Sequence, residues 1–499
     1  MTTPSAPTYW SSPDRAFPYA ASILCLIAIT PIWTSRFLPL LDEPNHLSAI
    51  YIWRELSHAD SPLHRFYDLR LAPVSYFLHY ALSYLFSFVL GVELAHKLVL
   101  SLYVLSFPVA GWLWCRATGR TTWLCLTTIP LAYSVTWAHG FHSFHVGLAV
   151  CLFGVVAQDA LLRAPGWPQV GLAAALALAC YFGHPLPLVS LWLCTGLLWL
   201  THRPGLRACG LSALSLVPSA LMYGWQARAT HVGAEGMRAM LGPHFPLLQL
   251  TTLTKRVLDF AEHAVNPVAG ETDSRVFEVV LLGCLLLYAV GAAHRDRYRG
   301  LLLAAGMLGL YFVLPEHFYP PVYLWLARGR VAALAAFFLL LGPALRDDMR
   351  ARWLALGVAL IGACVPLQTA LANWRFGQRM GAFERVVVAC PADTQVLTVR
   401  IGGEDAITEG FDQPVFRQLP SWVQVVHGGF SPAQFPRPIA FPFAIKQSLP
   451  ALHWRHHERY PHFLLPEVFG CVLTVNLELP EGGYRLARKE GEFALYVVK

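Results

Sequence analysis

Charge is scarce in this chain. Of 499 residues only 13% are Asp, Glu, Lys or Arg, about half the share of an ordinary soluble domain, while 56% are hydrophobic. A soluble chain of this length would divide into about three domains, each with a polar shell that this composition cannot supply. Blocks of like charge are missing too. The formal net charge is +7 and no run of Lys/Arg interleaves with aromatics, which removes nucleic acid from the candidate partners. There is no Gly-x-x-x-x-Gly-Lys-Ser/Thr run, no Gly-x-Gly-x-x-Gly after a strand and no Gly-x-Ser-x-Gly elbow. A nucleotide-driven pump and a serine hydrolase are thereby disfavoured. Internal repeats and low-complexity tracts are likewise absent from the sequence.

Apolar and aromatic residues are plentiful. The mean hydropathy is +0.47, and 16 Trp, 29 Phe and 19 Tyr suit a multi-pass membrane protein with aromatic belts. Apolar stretches of spanning length run from Phe17 to Phe37, Leu94 to Cys115, Trp123 to Ala138, His145 to Leu162, Val170 to Phe182, Leu186 to Leu200 and Leu211 to Trp225. Four more lie at Val276 to Ala292, Leu301 to Leu314, Val331 to Leu345 and Trp353 to Leu371, about eleven in all. The first reads as an uncleaved anchor, because no small-x-small cleavage site follows it.

Arginines mark every second connection: Arg116 and Arg120, Arg163, Arg203 and Arg207, Arg295 with Arg297 and Arg299, and Arg346 with Arg350 and Arg352. By the positive-inside rule this predicts a cytoplasmic amino terminus in an inner (plasma) membrane. It requires Leu71 to Leu90 to lie in or on the outer leaflet rather than to cross. A first outer loop 38–93, a second long outer loop 227–275 and everything after Leu371 then face outward. The expected architecture is an all-α polytopic membrane domain over 1–371 with outer juxtamembrane helices. Residues 372–499 follow as a small extracytoplasmic α/β or β-rich domain, with β-type runs at Arg385–Val388, Gln395–Ile401, Cys471–Leu477 and Glu492–Val498. Nine of the 11 cysteines fall in or near spans and read as small apolar residues. Cys390 and Cys471 lie in the outer domain and are either a disulfide or two buried thiols.

The sharpest local signal follows the first span: Leu41-Asp42-Glu43-Pro44-Asn45-His46-Leu47. A carboxylate pair near a bilayer is costly to hold unless it meets a cation, an arginine or a substrate. One such group can take a proton from an attacking hydroxyl while the other holds a divalent cation. The alternative is that both acids cap the helix that starts near Asn45.

Asp42-Glu43-Pro44-x-His46 after a first span, a long outer loop, many further spans and a carboxy-terminal outer domain together resemble the C-type (GT-C) membrane glycosyltransferases, including uncharacterised bacterial members with an acidic-Pro-x-His motif. Ala72-Pro73-Val74-Ser75-Tyr76-Phe77 is similar to their Pro-containing aromatic segment. Gly91-Val92-Glu93-Leu94-Ala95-His96-Lys97 stands where many members carry Gly, an acid and then an arginine, with Lys97 in the arginine's place. The resemblance implies transfer of a sugar from a polyprenyl-phosphate donor to a glycan, lipid or protein acceptor. Asp42 and Glu43 would then act as general base or as ligands to Mg²⁺ or Mn²⁺.

A lipid phosphate needs cations at headgroup depth. Arg328 and Arg330 at the outer end of a span are the leading candidates, with Lys255 and Arg256 in the second outer loop, and Glu316 reads as a salt-bridge partner for the arginines. His46 is placed beside the acids to orient a carboxylate or the acceptor. His139, His142 and His145 sit at metal-ligand spacings across a turn, although hydrogen-bonded interfacial histidines are commoner. His184-Pro185 joins two spans on the same face and is a candidate substrate contact. Asp159 and Arg163, one helical turn apart, read as a structural ion pair. Trp422 to Ser431 and Trp454 to Tyr460 are aromatic enough to stack on a sugar. The rival functions are a polysaccharide polymerase or ligase, a flippase or transporter for a lipid-linked glycan, and a non-catalytic assembly subunit.

Overall fold

The computed structural model describes residues 15–229, 248–266, 275–283, 297–318, 324–343, 345, 347–391, 394, 396–400, 415–416, 418–429, 442–446, 469–479 and 482–499. The chain is mostly helical. Among the described residues six helices are long and apolar enough to cross a bilayer, namely Ala16–Trp33, Val92–Thr118, His142–Arg163, Pro185–His202, Leu206–Ala229 and the nearly continuous Met349–Val387. The apolar helices Phe77–Leu90 and Trp167–Gly183 are shorter.

In chain order the helices are α1 (Ala16–Trp33), α2 (Glu43–Leu56), α3 (Phe77–Leu90), α4 (Val92–Thr118), α5 (Val135–Ala138), α6 (His142–Arg163), α7 (Trp167–Gly183), α8 (Pro185–His202) and α9 (Leu206–Ala229). They continue as α10 (Leu253–Ala264), α11 (Arg297–Val313), α12 (Ala327–Leu341), α13 (Met349–Gly362), α14 (Cys364–Val387) and α15 (Leu419–His427). Residues 275–283 are also helical, and the remainder of the span expected at Val276–Ala292 lies outside the described residues. At 14 residues α3 is about 21 Å long, too short for a bilayer core of about 30 Å.

One expected span takes a different form. Trp123–Ala138 is a 3₁₀ helix over Thr122–Ala132 followed by the short α5, and it is buried throughout. Pro130 has no N–H to give an α-helical ladder, and the hydroxyls of Thr127 and Thr128 bond the carbonyls of Leu124 and Cys125 three residues back, at 2.8 and 2.7 Å. Such backbone survives at membrane depth only when protein surrounds it. Here α1, α4, α12 and α13 do so.

The core runs through α1, α4, the 3₁₀ segment, α6, α8 and α12. Where α6 and α7 cross, Gly147 and Gly183 face each other: a Cβ on Gly183 would stand 2.4 Å from Gly147 Cα. Small residues let the two backbones touch, as in membrane helix pairs generally. Between helices the polar glue is local. Gln158 bonds Ser212 and Ser215 of α9 at 2.7 and 2.8 Å.

Arginines gather at the ends of α4, α6 and α8 opposite their starts. Arg163 donates to Ala117 O at 2.6 Å and pairs with buried Asp159, which also meets Arg299 (2.9 Å) and His202 (2.8 Å). The expected Asp159–Arg163 pair is present within this larger group.

Beyond the helices, α14 runs unbroken through residue 371 to Val387, so Arg385–Val387 is helix rather than the expected strand. A four-stranded sheet is built on the end of α14, in the order β4 (Val396–Arg400), β6 (Cys471–Val475), β8 (Phe493–Val498), β7 (Tyr484–Glu490). The β4–β6 pair is parallel and the others antiparallel. Cys390 and Cys471 form a disulfide, with Cα atoms 6.3 Å apart. The sheet's inner face packs Phe493, Leu495 and Leu473 on Phe383 and Trp422.

Two contacts fasten this region to the first loop. Strand β1 (Tyr67–Leu69) pairs antiparallel with β5 (Phe443–Ile445). Helix α15 lies on α2, where Ser48 Oγ donates to Gln424 Oε1 at 2.6 Å and Ser421 Oγ to Asn45 Oδ1. The short pair β2 (Leu248–Gln249) and β3 (His317–Phe318) ties the second loop to the stretch before α12. Trp422 is 2% exposed and packs edge-on against Phe37, so it belongs to the core rather than to a sugar-stacking surface. Trp454 to Tyr460 lies outside the described residues.

Candidate functional site

The amino-terminal ends of α2, α4, α6, α8 and α12 converge at one end of the bundle. Each leaves backbone N–H groups and a partial positive charge there, so the end as a whole favours anions. Into it runs the acidic motif. Leu41 N and Asp42 N donate to Ala138 O and His139 O, both at 3.1 Å, and Gly140 then passes directly beneath the motif with φ of +70°. A Cβ at Gly140 would lie 2.9 Å from Glu43 N and 3.1 Å from Asp42 N. The turn His139-Gly140 therefore shapes the seat of the carboxylates.

The two acids do different things. Glu43 is 2% exposed and accepts from His96 Nε2 of α4 at 2.8 Å and from His142 Nε2, the first residue of α6, both on Oε2. Burial by itself would push its pKa up, but the two imidazoles outweigh that and hold it below the ordinary carboxylate range. Asp42 is half-buried at the helix start, where its side chain makes no capping bond. Its charge acts instead on Tyr80 and on the guanidinium of Arg330.

More imidazoles surround Glu43. His79 of α3 lies with Nε2 3.2 Å from His96 Nδ1. His46 is on α2 one turn beyond Glu43, with Nδ1 2.6 Å from Tyr80 Oη and its ring 5.1 Å from that of His142. Burial, with His142 nearby, lowers the His46 pKa well below the usual imidazole value.

Beside this cluster lies a cationic pocket. Arg330 is buried, stacks over Phe141 at 3.8 Å and over Phe144 at 5.3 Å, and donates from Nε to Trp325 O at 3.1 Å. Among the described residues no carboxylate lies within ion-pair distance of it. Its Nη1 stands 3.5 Å from His184 Nε2. His184 caps α8 by accepting from Leu186 N on Nδ1 at 3.0 Å, which leaves the ring proton on Nε2. Two donors thus face each other, with no acceptor between them among the described residues.

Tyr76 closes the same pocket, its ring 4.7 Å from that of His184. Its φ of +75° is unusual for a residue with a side chain. The loop that holds it is pinned on three sides: Tyr76 N to Gly183 O (3.1 Å), Ser143 Oγ to Tyr76 O (3.1 Å), and Gln226 to the backbone and hydroxyl of Ser75 (2.9 and 2.8 Å).

The other sequence-selected residues stand elsewhere. Arg328, two residues from Arg330, is 1% exposed and fully engaged, with Glu316 Oε2 at 2.8 Å, Asp259 Oδ2 at 2.7 Å and Tyr311 Oη at 3.3 Å. Arg256 is buried and donates to Thr251 O at 3.0 Å and to Phe312 O, closing the carboxyl end of α11. Lys255 is exposed, 3.6 Å from Asp259. His139 bonds Val135 O through Nδ1 at 2.8 Å with its ring against Trp325, and His145 stacks on Tyr103, so of the trio 139, 142 and 145 only His142 reaches Glu43. Lys97 donates to Ser35 O.

The residues that sequence reasoning passed over are His96 as a partner of Glu43, His79, and the stacking pair Phe141 and Phe144. The signal available for His96 was its place in Gly91-Val92-Glu93-Leu94-Ala95-His96-Lys97. Compared with protein-family models and with curated proteins, the chain matches none.

Proposed function

We propose that this protein is a membrane glycosyltransferase of the C type, which transfers a sugar from a polyprenyl-phosphate donor to an acceptor hydroxyl on the outer side of the inner membrane. The observation that carries the reading is the buried Arg330 guanidinium, which forms no carboxylate ion pair among the described residues and faces the Nε2–H of His184 at 3.5 Å beside Asp42. A buried cation is costly without an anion, and two converging donors suit a phosphate oxygen. Aromatic walls at Phe141, Phe144, Trp325 and Tyr76 suit the first isoprene units and the sugar face.

The chemistry is a single displacement. Asp42, the more accessible of the two acids, accepts the proton of the acceptor hydroxyl as its oxygen attacks the anomeric carbon. The bond to the phosphate oxygen breaks, and polyprenyl phosphate leaves with its new negative charge held by Arg330, His184 and the helix amino termini. Inversion at the anomeric carbon follows. Arginines at the opposite helix ends support a cytoplasmic location for that end.

The test is release of free polyprenyl phosphate from a panel of polyprenyl-phosphate sugars by the protein in detergent, wild type against Asp42→Asn. Release that the substitution lowers at least a hundredfold is expected. A wild type that binds carriers yet releases nothing from any of them overturns the reading, and flipping or polymerisation assays then take its place.

A further inference from the structure

Glu43, His96 and His142 each offer one ligand atom, all three within 4.8 Å of one another, and their side chains are at most 2% exposed. They come from three separate segments, α2, α4 and α6. We propose that these three side chains bind a divalent transition-metal ion, Zn²⁺ by their chemistry, as a buried clamp that locks the start of α2 to α4 and α6 and so fixes where Asp42 points. The site goes beyond the transferase reading and does not rest on it.

The donor set argues for the metal class. Two imidazole nitrogens and one carboxylate oxygen are a Zn²⁺ set, with a fourth position left for water. Mg²⁺ demands a near-octahedral shell of oxygens and holds several waters, which a nitrogen-rich interior does not provide. Asp42 stands outside the group.

The surroundings argue in the same direction. A metal-bound histidine donates its other ring N–H to an outer partner. His96 has such a partner in His79, Nδ1 to Nε2 at 3.2 Å. Without a metal, Glu43 Oε2 has to take both Nε2–H groups, and the buried His142 Nδ1 and His79 Nδ1 stand without partners among the described residues. A metal takes the Nε2 lone pairs, turns both Nδ1 atoms into donors and fixes the tautomers of the whole chain. Of the nearby positive groups, Lys97 feels the charges of Glu43 and Glu93, and Arg330 that of Asp42.

The experiment is metal analysis of the full-length protein purified in detergent without chelator, by mass spectrometry of the elements and by X-ray absorption at the zinc edge. Wild type is expected to carry about one Zn²⁺ per chain, with a shell of N and O donors at about 2.0–2.1 Å and no sulfur. After stripping, Co²⁺ is expected to restore visible ligand-field bands, and Zn²⁺ but not Mg²⁺ to raise the melting midpoint. His96→Gln and His142→Gln are expected to lose at least tenfold in occupancy, and Asp42→Asn to keep the metal while losing donor release. Folded, monodisperse wild type without a transition metal, without Co²⁺ bands and without a Zn²⁺-dependent melting shift overturns the site, and that result needs no variant to fold. Metal retained equally by both histidine variants overturns it too. Because metal content and donor release are read separately, failure of one leaves the other standing.

Discussion

Gly140 and Glu43 meet backbone to backbone: a methyl group on Gly140 would stand 2.9 Å from Glu43 N, where the nearest atoms are main chain and cannot turn aside. With φ at +70° a side chain is strained at this position whatever the room. Gly140→Ala is therefore expected to cost about 2 kcal/mol or more and to displace both acids of the motif. Thermal melting in detergent together with donor release reads both effects. Gly171→Ala in α7 is the control, since nothing lies within 4 Å of its Cβ, and alanine there favours the helix by about 1 kcal/mol.

Arg328 and Arg330 make opposite predictions although two residues separate them. Arg328→Met strips the partner from Glu316 and Asp259 and is expected to destabilise by about 3–5 kcal/mol, since breaking a buried pair leaves uncompensated charge. Adding Asp259→Asn and Glu316→Gln to it is expected to recover most of the loss. Arg330→Met breaks no carboxylate ion pair among the described residues, so stability is retained or rises, while the KM for the lipid-phosphate donor is expected to rise about 10- to 100-fold. Equal melting losses in the two variants would contradict this division.

Much of this was legible in the residues, because it depends on local pattern. Hydropathy and helix length identified α1, α4, α6, α8 and α9, and the motif after the first span drew attention to Glu43. Distance in the chain hid the rest. His96 and His142 meet Glu43 across 53 and 99 residues, and no periodicity reports such a meeting. Arg328 and Arg330 look alike in sequence; what separates them is Asp259, 69 residues away. Periodicity also cannot tell an α-helix from a buried 3₁₀ segment of the same apolarity, which is why Trp123–Ala138 was expected as an ordinary span.

The disulfide joins residues 81 apart in sequence, the end of α14 to the second strand of the sheet's order. Loop closure over that length is worth about 4–5 kcal/mol to the folded state in the chain-entropy model. Cys390→Ser is expected to lower the melting midpoint of the carboxy-terminal region by several degrees. Reductant is expected to lower it by a similar amount in wild type and not at all in the variant. A free-thiol count that is equal before and after reduction would show that the bridge does not form.

Gln424 connects that region to the acid motif and gives the last prediction. It is 1% exposed on α15, accepts from Ser48 Oγ of α2 at 2.6 Å, and donates from Nε2 to Tyr67 Oη and Gly429 O, both at 3.0 Å. Ser48 lies five residues after Glu43 on the same helix. Gln424→Ala removes one partner each from two buried hydroxyls and one carbonyl, at a cost of about 1–3 kcal/mol for the three hydrogen bonds lost. Loosening α2 at that point moves Asp42 relative to Arg330, and an ångström of misplacement is enough to cost about a hundredfold in rate. The expected signature is faster amide exchange across α2 with α6 unchanged, and a lower kcat for donor release at nearly constant KM, because the phosphate pocket of Arg330 and His184 does not touch α15. Protection of α2 that is unaltered while release falls would place the effect of Gln424 somewhere other than through this helix.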